Sequence, residues 1–96
     1  MNYVVIFKAK IKHLDQQYTE TAQRLRQKAF TEYHCQKFES FTEQNDEIAL
    51  SYWNSLEDIH AWHLDAEHQI AQQLGQSVWY QHFSAEICEI KRAYSS

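Results

Sequence analysis

The stretch Ile48-Ala49-Leu50-Ser51-Tyr52-Trp53-Asn54-Ser55-Leu56-Glu57-Asp58-Ile59-His60-Ala61-Trp62 contains a change of period. Up to Trp53 the residues alternate. Ile48, Leu50 and Tyr52 fall on one side of a strand, and Ala49, Ser51 and Trp53 on the other. Beyond Asn54 and Ser55, either of which can cap a helix, Leu56, Ile59 and Trp62 recur at the spacing of one helical face. Ser55-Leu56-Glu57-Asp58 has capping-box spacing, with Asp where the box prefers Glu or Gln. A strand over 47–53 therefore runs straight into a helix, which is the join that α+β folds repeat.

Working outward, residues 2–11 are β-branched and aromatic and end in alternation, so they read as a strand. Residues 15–30 read as a helix, with Asp15 as its cap and Tyr18, Ala22, Leu25 and Ala29 on one face. Residues 33–42 read as a second strand, followed by a polar turn, Glu43-Gln44-Asn45-Asp46. On the far side, the helical pattern runs to Leu74 and is expected to stop at Gly75 in a left-handed terminal residue. Residues 76–82 read as a short amphipathic turn and 83–94 as a last strand. The order βαββαβ predicts a ferredoxin-like antiparallel sheet with both helices on one face. Right-handed crossovers put the first and third strands in the middle and the second and fourth at the edges.

The chain has 96 residues, the size of a single domain over 1–96, with a formal net charge of −4. Lys and Arg are scattered rather than gathered in a stripe, which argues against nucleic acid. No apolar run reaches the roughly 20 residues of a membrane span, and the N-terminus has no signal-type pattern. The expected location is the cytoplasm. Two cysteines, Cys35 and Cys88, read as free thiols on opposite sheet edges. With one Gly and no Pro, no glycine-rich phosphate loop is present. The central strands are apolar on both faces, as in Tyr3-Val4-Val5-Ile6-Phe7, so the face without helices needs a cover. A second copy of the chain is the expected one, and the expected state is a homodimer.

The residues from Ile48 to Trp62, then Glu67-His68, Ala71-Gln72, Gly75, Trp79-Tyr80 and a closing Ile90-Lys91-Arg92-Ala93-Tyr94, resemble the antibiotic-biosynthesis-monooxygenase (ABM) domain family. The resemblance covers nearly the whole chain and implies a dimeric α/β barrel with a pocket between sheet and helices in each subunit. One departure is Thr31-Glu32-Tyr33-His34, where the family usually has a Gly followed by an aromatic residue. Some members oxidise aromatic polyketides or quinols with dioxygen and without metal or flavin. More distant ones degrade haem. The haem enzymes pair a helix Trp with an axial His ten residues later, and here that position is Gln72, which disfavours haem.

Each candidate residue has a structural and a functional reading. Trp62, on the apolar face of the second helix, either packs on the sheet or stacks a flat substrate as a pocket wall. His63 on the same stripe reads first as a hydrogen-bonded core histidine. His68 lies off the stripe of a continuous helix and reads there first as a surface histidine. A break capped by Asp65 would turn it towards the pocket, and it is the histidine that the resemblance singles out as acid or base. Tyr52, Trp53, Trp79, Tyr80 and Phe83 form an aromatic-rich region, either core and interface or the walls of an apolar pocket. His60, His63 and Glu67 have helical spacing for a metal but lack a fourth ligand and a supporting shell, so no metal is expected. The resemblance thus implies a cofactor-independent monooxygenase acting on a small aromatic, quinol-type molecule. The alternative is a non-enzymatic dimer binding a small molecule in the same pocket.

Overall fold

The computed structural model describes all residues, 1–96. The elements are β1 (Tyr3–Ile11), α1 (Gln16–Thr31), β2 (Lys37–Glu43), β3 (Asp46–Trp53), α2 (Leu56–His63), α3 (Ala66–Leu74), a π-helical turn (Gly75–Trp79) and β4 (Tyr80–Glu89). The four strands form one antiparallel sheet in the order β2-β3-β1-β4, the ferredoxin-like arrangement expected from the sequence. The helices cover one face. No helix is long and apolar enough to cross a membrane.

The register explains which side chains face the helices. Tyr3, Val5, Phe7 and Ala9 of β1 pair with Trp53, Ser51, Ala49 and Glu47 of β3, and these alternate positions share one face. Trp53 is completely buried and donates from Nε1 to Ser51 Oγ at 2.9 Å. Trp62 of α2 packs on it, with ring centroids 5.2 Å apart, and Ala29 and Ile59 complete this part of the core. A second cluster, at the other end of the sheet, gathers Ala9, Trp79 and Tyr80, with Phe7, Tyr18 and Phe83 against them.

Four expected boundaries move, each for a local reason. The second helix is broken rather than continuous. α2 ends at His63, and Asp65 caps α3 by accepting from the backbone N–H groups of Glu67 (2.9 Å) and His68 (3.3 Å). This rotates the face of α3, and Ile70 is 55% exposed. Gly75 does not adopt the left-handed conformation. Its φ is −58° and the chain continues into the π-helical turn. Its lack of a side chain matters for space instead: a Cβ there would meet the Tyr80 ring at 3.1 Å. β4 begins at Tyr80 rather than 83 and ends at Glu89.

β2 begins at Lys37 rather than 33. Tyr33, His34 and Cys35 form the approach to it, and His34 has φ 66°, a left-handed conformation that favours Gly. Cys35 is therefore buried before the strand, not on an edge, while Cys88 lies on β4 opposite Val4. Both are free thiols, and burial raises the pKa of Cys35.

Candidate functional site

A cavity of about 730 Å3 lies between the sheet and the helices. Its volume falls in the range of small-molecule sites. Its floor is the helix-facing row of the sheet, including Phe7, Ala49, Phe83 and Ala85, and its lid is α1, α2 and α3. The lining is mainly apolar, and two groups of its polar side chains bear on chemistry.

The first is around His68. The Asp65 cap that breaks the second helix turns His68 inward, so that its ring lies 4.3 Å from Trp62. Its Nδ1 is 3.0 Å from the Trp62 carbonyl oxygen. A carbonyl only accepts, so Nδ1 carries the proton. In the neutral ring Nε2 is then an unprotonated acceptor, and it has no partner in the protein. Burial lowers the His68 pKa below the usual histidine value, reinforced by nearby His63 and opposed by the Trp62 carbonyl and Asp65. His63 also lines the cavity, with Gln72 Nε2 at 3.0 Å from its Nδ1.

Asp65 is anchored from outside the cavity. Tyr33 donates its hydroxyl to Asp65 Oδ2 at 2.7 Å, and Lys28 lies 3.3 Å away. Burial alone would raise its pKa. The hydrogen bonds from Tyr33, Lys28 and the backbone outweigh it and hold the carboxyl below its ordinary value. The same Lys28, with Arg24, holds Glu67 at 2.9 and 2.8 Å. Glu67 is thus drawn towards α1, and His60, His63 and Glu67, spread over two helices, form no metal-binding group.

The second polar place was not singled out in the sequence. Glu47, on the helix-facing row of β3, accepts from the hydroxyls of Tyr18 and, at 3.0 Å, Tyr80. Burial, then the bond to Glu47, pushes the Tyr18 pKa up to about 12, and burial raises that of Tyr80 as well. Both phenols therefore stay protonated. The signal was present: Glu47 sits two residues before Ala49 in the row that ends at Trp53, an acid on the covered face of a strand.

Of the expected pocket residues, the structure brings Trp62, His63, His68, Trp79, Tyr80 and Phe83 to the cavity. Two lie elsewhere. Trp53 is core behind Trp62, because its ring fills the space between strand and helix completely. Tyr52, its neighbour in the alternation, points to the opposite face of the sheet, where Lys37 lies over its ring. The indole N–H groups of Trp62 and Trp79 are buried without a hydrogen-bond partner.

Similar proteins carry the same architecture. A SnoaB variant, described as a cofactor-independent oxygenase from Streptomyces nogalater, superposes with a TM-score of 0.80 over 99% of this chain and 98% of its own, at 5% identity. A structure described as an antibiotic biosynthesis monooxygenase gives 0.74 over 94% and 99%, at 13% identity. A conserved protein from Methanosarcina mazei Go1 gives 0.77 over 95% of each chain, at 14% identity. No family model matches the sequence. In sequence, the uncharacterized protein YqjZ of Bacillus subtilis (strain 168) is 34% identical over 91 residues, covering 94% of this chain and 80% of YqjZ. The chain belongs to the same family as YqjZ, and its fold is that of the ABM domain proteins.

Proposed function

We propose that this protein is a cofactor-independent monooxygenase of the cytoplasm that oxidises a small aromatic, quinol-type substrate with dioxygen in the cavity between sheet and helices, as a homodimer. The observation that carries the reading is His68: a neutral imidazole with its Nδ1 proton fixed and its Nε2 free, packed beside Trp62 in a mainly apolar cavity. A buried base is what separates a reactive cavity from a merely binding one, which is why the enzymatic reading is preferred here.

The chemistry balances without a cofactor. Nε2 removes the proton of a phenolic hydroxyl, and the resulting phenolate is rich enough in electrons to reduce dioxygen. A hydroquinone and dioxygen give a hydroxyquinone and water. Two O–H bonds and one ring C–H bond break, and so does the O–O bond. One oxygen atom becomes the new ring hydroxyl, and the other leaves as water with the remaining two hydrogens. The substrate supplies all the electrons. The protein contributes the base, the orientation of the ring by the aromatic walls and the exclusion of bulk water.

The test is turnover of 1,4-dihydroxynaphthalene under isotopically labelled dioxygen. The reading expects one labelled oxygen atom in the organic product and no accumulation of peroxide, beyond a protein-free control. Saturable binding with no oxygen uptake above that control would overturn it in favour of a binding dimer.

A further inference from the structure

The reading above uses one end of the cavity. The other end holds a carboxylate with a phenol on each oxygen, buried Tyr80 and half-buried Tyr18, and neither phenol is used by the base at His68. Three elements place this group: Glu47 from β3, Tyr18 from α1 and Tyr80 from the first residue of β4. Ala9, opposite Glu47 on β1, is small and leaves the carboxylate room. No lysine, arginine or histidine pairs with Glu47. It is the only acid lining the cavity. Glu47 is half-buried, and two phenols meet only part of the hydrogen-bonding capacity of its carboxylate. Each of its oxygens has a second lone pair to offer.

We infer that Glu47, held by Tyr18 and Tyr80, is a second recognition point that accepts a hydroxyl of the substrate, so that the cavity selects aromatic molecules with a hydroxyl at each end. The inference rests on the cavity being the site proposed above. Its two ends are separated along α3. His68 and Gly75 are seven residues apart, on the order of 10 Å of helix rise, and Gly75 lies against the Tyr80 ring. A flat molecule lying along this axis meets His68 Nε2 with one hydroxyl and the carboxylate with the other. Glu47 already accepts from two phenols of the protein, and a third from the ligand is the same bond. An ammonium is a poorer fit, because it would give up its hydration in a mainly apolar cavity. At the Glu47 end the hydroxyl keeps its proton until the ring is oxidised, so that the hydroxyl at His68 is the one deprotonated first.

The experiment is anaerobic binding, followed by tryptophan fluorescence, of 1,4-dihydroxynaphthalene and 4-methoxy-1-naphthol, which lacks one of the two donors. The protein as found is expected to bind the dihydroxy compound about tenfold more tightly, the usual weight of a bond to a charged acceptor. Glu47→Gln should remove most of that preference. Equal binding of the two compounds, or a preference kept intact in Glu47→Gln, would overturn the inference while leaving His68 as the base. Failure of both compounds to bind would overturn the reading of the cavity itself and the inference with it. Because the two ligands are compared on the unaltered protein, the answer does not depend on Glu47→Gln folding.

Discussion

At the scale of the residue, His68 shows how one side chain couples stability to chemistry. Its folded pKa lies below the ordinary value of 6.5, because burial disfavours the charged ring. The folded state therefore binds fewer protons than the unfolded state just below pH 6.5. Stability contributed by the neutral ring is present above that pH and lost as pH falls towards the folded pKa. Melting temperature should decline as pH falls below about 6.5, and His68→Gln should flatten that part of the profile. An unchanged profile in the variant would assign the decline to other groups. The histidine was legible as a candidate because Asp65 stood three residues before it as a possible cap. Glu47 was passed over, although it shares the row of Ala49, Ser51 and Trp53, because a lone acid after a polar turn also reads as the end of the turn. The register with Ala9 and the approach of Tyr80 decide between the two.

At the scale of the element, strands and helices were readable wherever a period was clean, and their ends were misread where a single side chain decided them. Alternation located β1 and β3 to within one residue. The second helix reads as one run to Leu74 because its apolar spacing tolerates a break. What breaks it is Asp65, whose carboxylate serves α3, Tyr33 and Lys28 together. Asp65→Ala should therefore cost about 1–2 kcal/mol, from the lost cap and the stranded Tyr33 hydroxyl. That corresponds to a fall of about 5–10 °C in a thermal melt of a domain this size. A fall of under a degree would mean that the break is fixed by packing alone. The second strand starts late for the opposite reason. His34 sits in a left-handed conformation that favours Gly, so the chain turns there instead of extending. His34→Gly should raise stability by about 0.5–1 kcal/mol, the relief of left-handed strain less the entropy of Gly, and weaken nothing but an exposed contact with Asp58 at 3.2 Å. A destabilised variant would mean that the Asp58 contact outweighs the strain.

At the scale of the whole molecule, the helices leave one sheet face bare. Val4, Ile6, Leu50 and Tyr52 lie on it, with Phe41 57% exposed at its margin. An apolar face of this kind is ordinarily an interface, and the charge of −4 is too small to keep two copies apart at ordinary ionic strength. At micromolar concentration, sedimentation should give twice the 11.5 kDa of the chain, and Leu50→Glu should yield the single chain. A single-chain species in the unaltered protein would contradict the dimer. The cavity itself lies on the other side of the sheet and is lined by elements of one chain, so its chemistry can be examined separately from assembly. The direct measurement is oxygen uptake with 1,4-dihydroxynaphthalene, above the protein-free rate, for the unaltered protein and for His68→Gln. A positioned general base is worth about 10²–10⁴ in rate, so uptake should be clear in the first and close to the protein-free rate in the second. Equal uptake by both, with binding unchanged, would contradict the account at its centre.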